Sequence, residues 1–145
     1  MIAPTTRAGK LLAQHGFWFR EVPQEDRNDR VCKTIMFKRK DGAKIAAVVP
    51  YLSRVSYKKL KAHLGLDVGP LSPDELRAEG FEPHECAPML MTCELFVDPE
   101  CLRKHPIQTG SGTLGTRSRI SNTRWAPAAA RCVTLTMRLI ESSRE

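Results

Sequence analysis

A lysine set in an apolar strand, a scatter of histidines and cysteines, and a glycine-rich turn are the features of this chain able to do chemistry. Lys33 lies in the run Val31-Cys-Lys-Thr-Ile-Met-Phe37. An unpaired buried charge is costly, so its ammonium either snorkels to water from a half-buried edge strand or is held against an anion. Alternation along a strand puts Lys33 on the same face as Val31 and Ile35. His84, Cys86, Cys93, Cys101 and His105 fall within twenty-two residues and raise a zinc site. Structural zinc is held by tight Cys-x2–4-Cys knuckles, and this chain has none, so no metal is expected. Cys86 lies beside His84, which could lower its pKa, but a nucleophile needs a third group to orient its base. None can be named, and a buried free thiol is the plainer reading. Gly110-Ser-Gly112-Thr-Leu-Gly115 is neither a Gly-x-Gly-x-x-Gly loop nor a Walker loop followed by Lys-Ser/Thr. It reads as a tight turn whose backbone amides could meet a ligand.

The elements that must position these residues are short. Ala8–Gln14 has helical composition and stops at Gly16. Phe17–Val22 reads as a strand, and Pro23–Arg30 as a loop. Val31–Lys38 and Lys44–Val49 flank Asp41-Gly42, a strong hairpin signal. The second of them has no polar alternation, which predicts burial on both faces. Ser56 caps a helix over Tyr57–Leu64 closed by Gly65. Ser72-Pro73-Asp74-Glu75 carries a capping box, and its helix stops at Gly80. Leu95–Val97 is a strand, Asp98-Pro99 opens a short helix toward Arg103, and Ile107–Thr109 pairs with Thr116–Ile120. In the last twenty residues Val133, Leu135, Met137 and Leu139 alternate like an edge strand, while Ala128–Arg131 could equally begin a helix. Interspersed helices and strands with an early hairpin give an α+β fold with a mixed sheet in a single domain.

The totals bound the function class. A chain of 145 residues can bury a core without staples. Its longest apolar runs, Ile45–Val49 and Met89–Met91, are far too short to span a bilayer, and no secretory leader opens the chain. Five unevenly spaced cysteines suit reduced thiols. These features predict a cytoplasmic protein with no membrane partner. Residues 1–64 carry fourteen Lys/Arg against five Asp/Glu, residues 65–105 three against nine, and residues 106–145 six against two. Two basic segments thus flank an acidic one. They serve either as a solvated surface or, if brought together, as a phosphate-binding face.

Taken in order, the motifs resemble the YbaK-type, prolyl-tRNA editing domain superfamily of aminoacyl-tRNA deacylases over about Leu11 to Ile120. Lys33-Thr34-Ile35 looks like that family's Lys-Thr-Leu strand. Ala47-Val48-Val49-Pro50, Val55 and Lys58-Lys59-Leu60 resemble its Val-Val-Pro segment and the helix that follows. Ser72–Leu76 is similar to its Ser/Thr-Pro-Glu-Glu-Leu helix start, and Phe96-Val97-Asp98 to its Phe-Val-Asp. Gly80–Pro88 falls at its Gly-x-x-x-Pro loop, and Gly110-Ser-Gly112 at a late glycine-rich turn. Two departures stand out. His84 occupies the first glycine of the loop, giving His-Glu-Cys-Ala-Pro, and Pro23–Arg30 is shorter than the family's insert.

The resemblance implies a mixed, strongly curved sheet flanked by short helices in an editing domain over residues 1–125, with a tail over 126–145. It also implies hydrolysis of the ester joining a small, wrongly attached amino acid, of the Ala or Cys class, to tRNA, with tRNA-Pro favoured. The catalytic residues would be Lys33, His84, Cys86, Ala87 and Pro88. Thr34, Gly80, Gly110, Ser111 and Gly112 would bind substrate, and no cofactor is called for. The partners would be the aminoacylated acceptor end of tRNA and an aminoacyl-tRNA synthetase. His84 motivates an alternative, a non-catalytic module on the same fold that binds the acceptor stem.

Overall fold

The structure, a computed structural model, describes residues 5–23, 31–65, 67–82, 88–103, 107–110, 116–120 and 130–136. Its centre is the hairpin of β2 (Cys32–Arg39) and β3 (Lys44–Pro50). The strands run in continuous antiparallel register from Cys32–Pro50 to Lys38–Lys44. Asp41-Gly42 makes the turn as expected: Asp41 Oδ1 accepts the Ala43 N–H at 3.0 Å, and Gly42 takes a φ of 93° that a side chain would resist. On the outer edge of β2, β4 (Val68–Pro70) pairs with Phe37–Arg39. Beyond β3 lie β5 (Glu94–Val97) and then β8 (Arg131–Cys132), both parallel to their neighbours, so the sheet is mixed with order β4-β2-β3-β5-β8. A second, antiparallel sheet has β1 (Phe19–Pro23) and β6 (Ile107–Gly110) on either side of β7 (Thr116–Ile120).

The central sheet separates two apolar clusters. Cys32, Met36, Ala46, Val48, Leu95 and Val97 point to one, with Leu12, Met89, Met91 and Ile107. Phe37, Ile45, Ala47, Val49 and Phe96 point to the other, with Val55, Leu60 and Leu135. Alternation along each strand produces this partition. It also explains why β3 reads as an unbroken apolar run: Ile45–Val49 is buried throughout because both faces are covered. Each such valine or isoleucine contributes about 1.5–3 kcal/mol when fully buried.

The helices follow their caps. Thr6 Oγ1 accepts the Gly9 N–H at the start of α1 (Arg7–Gln14). Ser56 caps α2 (Tyr57–Leu64), which ends at Gly65 with a φ of 72°. α3 (Pro73–Ala78) has the complete Ser72–Glu75 capping box. α4 (Pro99–Leu102) starts at Asp98, a residue 2% exposed. One Asp98 oxygen accepts the Glu100 N–H and the other the Leu135 N–H, each at 3.0 Å. This carboxylate therefore fastens residues 130–136 to the domain, helped by the Ser56 N–H donating to the Leu135 carbonyl at 2.7 Å. The edge strand expected from the alternation Val133, Leu135, Met137 and Leu139 does not form over those of its residues that are described: β8 covers Arg131–Cys132, Val133–Leu135 belong to no strand, and Thr136 makes an isolated bridge to Val55, while Ala128, Ala129, Met137 and Leu139 lie outside the described residues.

One expectation needs correcting. The sheet is not strongly curled. Its strands divide into two sheets, joined among the described residues by a parallel bridge between Val31 and Gln108, so no single sheet has to bend around the core. The short strand β4 and a 3-10 turn at Pro88–Leu90 were not anticipated, because three-residue elements carry no periodicity to read. The loop expected over Pro23–Arg30 falls outside the described residues from position 24 onward. Among the described residues, no helix is long and apolar enough to cross a membrane.

Candidate functional site

Lys33 sits on β2 opposite Val49, on the face it shares with Ile35 and Phe37. It is half-buried, and its pKa is lowered from the ordinary lysine value, first by burial and then by the charge of Arg54. Arg54 is exposed in the connection between β3 and α2. Neither cation forms an ion pair with a described residue. Other basic groups are neutralised: Lys38 lies 2.6 Å from Glu75, Lys44 3.9 Å from Glu79, and Lys61 3.3 Å from Asp67. The acidic middle of the sequence thus folds back to cover the hairpin end of the sheet. The opposite end of β2 keeps two like charges together.

Thr34 points the other way. It shares its face with Cys32 and Met36, in the cluster that contains Met89. Its Oγ1 is buried with no hydrogen-bond partner, and a buried hydroxyl left unpaired costs about 1–3 kcal/mol. Its backbone also lacks a described strand partner on one side. The Arg39 N–H donates to the Ala43 carbonyl and the Tyr51 N–H to the Val31 carbonyl, so odd-numbered residues of β2 face β3. The even-numbered residues face the outer edge, as the bond from the Leu71 N–H to the Met36 carbonyl confirms. That edge is met at Val31 by Gln108 and at Phe37–Arg39 by β4. Among the described residues, no strand pairs with Thr34 in the interval between them.

The remaining expected residues are placed as follows. Pro88 is buried at the start of the 3-10 turn whose Met89 packs on the Thr34 side of the sheet. Gly110 ends β6, paired with Arg117. Two residues before it, Gln108 bridges Val31, so β6 approaches the same stretch of β2. Gly80 adopts a φ of 93° just after α3, and its carbonyl accepts Arg7 Nη2 at 2.9 Å, a helix-ending role. His84, Cys86, Ala87, Ser111 and Gly112 lie outside the described residues. The fold therefore gathers Thr34, Pro88 and the β6 strand on one side and leaves Lys33 on the opposite face. Of the other thiols weighed for metal, Cys101 is buried in the first cluster, and Cys93 is pushed up in pKa, chiefly by burial.

Sequence reasoning missed three residues here. Thr109, 1% exposed on β6, carries a second buried hydroxyl without a partner, on the side of Ile107. Nothing in its local pattern marks it. Arg54 is equally silent in sequence, since a loop residue's neighbour is set by the chain path. Tyr51 was within reach of inference: a hairpin centred on Asp41-Gly42 pairs Val31 with Tyr51 and so sets Tyr51 diagonally across from Lys33.

The family model for the aminoacyl-tRNA editing domain matches residues 22–126. No curated protein matches the chain significantly. Among solved structures, the chain is similar to a candidate trans-editing enzyme for prolyl-tRNA synthetase, with 18% identity, 95% of this chain and 100% of that chain covered, and a TM-score of 0.75. It is equally similar to a structure from work on epitope backbone grafting onto scaffold proteins, with 18% identity, 92% and 96% coverage, and a TM-score of 0.75. A candidate signal transduction protein from Marinobacter aquaeolei VT8 matches at 13% identity over 83% of this chain and 28% of its own length, with a TM-score of 0.69. At these identities the structural matches establish the fold alone.

Proposed function

The chain belongs to the aminoacyl-tRNA editing domain family, YbaK-like in fold, and we propose that it is an aminoacyl-tRNA deacylase acting on a small mischarged amino acid, of the Ala or Cys class, carried by tRNA-Pro. The single observation that carries this reading is the Lys33–Thr34 step. An uncompensated cation on one face and an orphaned hydroxyl on the other meet at the interval where the edge of β2 has no described partner strand. A ligand lying across that edge would satisfy all three groups at once: an anionic oxygen at the ammonium, a polar atom at Thr34 Oγ1, and the unpaired backbone between them.

In the reaction, water attacks the ester carbonyl carbon, the bond to the terminal ribose oxygen breaks, and that oxygen leaves with a proton originating from the water. The products are a free amino acid and uncharged tRNA. The acyl carbon is already activated, so the protein chiefly has to orient water and stabilise the oxyanion with backbone N–H groups. The segment His84–Pro88, with Cys86 and Ala87, supplies those donors in this proposal, and Pro88, seated in the core, anchors it. One well-aimed donor is worth about 3–4 kcal/mol. Lys33 holds the terminal nucleotide through a phosphate or sugar oxygen, and Gly110, Ser111 and Gly112 bind substrate in this proposal. Pockets distinguish one methylene by only about 1–3 kcal/mol, which is the physical reason for a separate editing site. A cytoplasmic setting beside an aminoacyl-tRNA synthetase follows from this role.

His84 in place of a loop glycine favours a second reading, a tRNA-binding module without turnover, because a side chain there takes space from the aminoacyl group. One experiment separates the two. Amino-acid release is followed from Ala-tRNA-Pro, Cys-tRNA-Pro and correctly charged Pro-tRNA-Pro, with the wild-type protein and Lys33→Ala. Release from a mischarged ester that disappears in Lys33→Ala supports the deacylase. Binding without release selects the module.

A further inference from the structure

The second sheet has a face that the proposed reaction does not use. Its register sets residues in rows across the strands. Phe19, Ile120 and Ile107 form one row, and Glu21, Ser118 and Thr109 form the next row on the same face. α1 packs on that face: a Cβ added to Gly9 would stand 3.0 Å from Phe19 Cε2 and 2.9 Å from Glu21 Oε1. Glu21 is the one carboxylate in the three strands, and it is engaged there, accepting the N–H groups of Thr5 and Thr6.

Strand alternation gives the opposite face to Arg20, Arg119 and Gln108 in one row and to Val22, Arg117 and Gly110 in the next. Arg20 stands directly opposite Arg119, with Arg117 as its diagonal neighbour. Such positions hold Cβ atoms about 4.5–5.5 Å and about 7–8 Å apart, and like charges placed so repel. No acid of the three strands shares this face, and Arg20 is exposed. Gln108 also bridges Val31, so the row continues onto the face of β2 that bears Lys33. At the usual strand spacing β7 lies about 10 Å, and β1 about 15 Å, from β2.

We propose that Arg20, Arg117 and Arg119 form a docking face for the phosphate backbone of a base-paired RNA stem. Guanidinium forks match phosphate oxygens in pairs. Within the strands this face carries no aromatic side chain on which an unpaired base could stack, whereas a duplex is held through its phosphates and shape. A membrane surface would call for apolar anchors beside the cations, and Val22 alone is there. Reading the stem as that of a tRNA rests on the editing proposal; the attraction for duplex phosphate does not. The three arginines are positioning residues, which orient the stem and touch no reacting atom.

The test titrates the full chain against a short labelled RNA hairpin by fluorescence anisotropy at several salt concentrations. An unpaired RNA of equal charge, polyglutamate and phosphatidylserine vesicles serve as alternative ligands. Arg20→Gln, Arg117→Gln and Arg119→Gln should each weaken hairpin binding about two- to fivefold at low salt. Each should lower the slope of log Kd against log salt by about 0.7–0.9, one phosphate contact, and the triple variant by about 2 to 3. Lys58→Gln removes a charge from an exposed position of α2 and should leave both quantities as in wild type. Thermal melts should show the triple variant no less stable, since it removes opposed like charges; a lower Tm would mean that the arginines have partners inside the protein, against the docking face. Wild-type affinity in the triple variant, an equal loss in Lys58→Gln, or equal binding of any alternative ligand overturns it. Deacylation keeps it apart from the proposed reaction. On mischarged tRNA-Pro the triple variant should raise KM with kcat unchanged, and on the matching aminoacyl ester of adenosine, which has no stem, it should equal wild type. Turnover of both esters, with hairpin binding and KM unaltered in the variants, removes the docking face and leaves the deacylase. Arginine-dependent hairpin binding without turnover of either does the reverse.

Discussion

Replacing Lys33 with methionine sets the fold and the proposed chemistry against each other. Methionine keeps the apolar stem and removes the ammonium. In the free protein that ammonium gains nothing from a described carboxylate, and its pKa lies below the ordinary 10.5 because of burial first and Arg54 second. The folded pKa is thus below the unfolded one. At pH values below the folded pKa both states hold the proton, and the folded state bears the full cost of the charge. As pH rises from the folded pKa toward 10.5, the unfolded chain retains a proton the folded chain has lost, so stability rises through that window. At pH 7 Lys33→Met should therefore leave stability unchanged or raise it by up to about 1 kcal/mol, the range for relieving an unfavourable charge that water partly screens. For a chain of this size, that is a gain in Tm of up to about 4 °C. In the proposed reaction the same substitution removes a charge-assisted contact to substrate, worth about 1.5–3 kcal/mol. This corresponds to a fall in kcat/KM on mischarged tRNA of roughly 10- to 150-fold. Differential scanning calorimetry and single-turnover release of labelled amino acid read the two arms. A loss of stability above about 2 kcal/mol would show that Lys33 has an internal counter-charge, and the reasoning from an uncompensated cation would fail. Unchanged stability with unchanged kcat/KM would remove Lys33 from the reaction.

Three further outcomes are expected. Thr34→Val, nearly isosteric, should keep or slightly raise stability, since it removes a buried hydroxyl without a partner, while lowering kcat/KM about tenfold; a stability loss above about 1 kcal/mol in urea unfolding would mean the hydroxyl is already satisfied. Asp98→Ala should cost about 3 kcal/mol, because it orphans the N–H groups of Glu100 and Leu135, and should raise hydrogen exchange across residues 130–136; native-like exchange there would refute the fastening role. Glu75 is held down to a pKa of about 2, first by the hydrogen bond from Lys38 and then by the Ser72 N–H. A depressed carboxylate contributes stability at pH above 4.5 that is lost as pH falls through its folded value, so this contribution should vanish between about pH 4.5 and pH 2. In Lys38→Met, carbon-detected NMR titration should show Glu75 moving back toward 4.5, and a pKa still near 2 would show that the capping box alone sets it.

The local elements and the character of the key residues were legible in the sequence, because they depend on neighbours along the chain. Caps at Ser56 and Ser72, the stop at Gly65 and the Asp41-Gly42 turn are interactions within a few residues, and each formed where its residues predict. Hairpin register follows from such a turn, so the facing of Lys33 against Val49 was also determined locally. The order of motifs identified the family. Tertiary structure alone decided the rest. Splitting of the strands into two sheets depends on pairings such as Phe19 with Ile120, about a hundred residues apart, which no local pattern encodes. The gap beside Thr34 among the described strands and the orphaned hydroxyl of Thr109 arise where distant segments stop short of one another. Charge shows the same division: its amounts are written in the sequence, but only the fold pairs the acids of α3 with the hairpin lysines and leaves the other end of β2 positive. Local signals report what a residue prefers; which preferences go unsatisfied, and so become available to a substrate, is settled by packing.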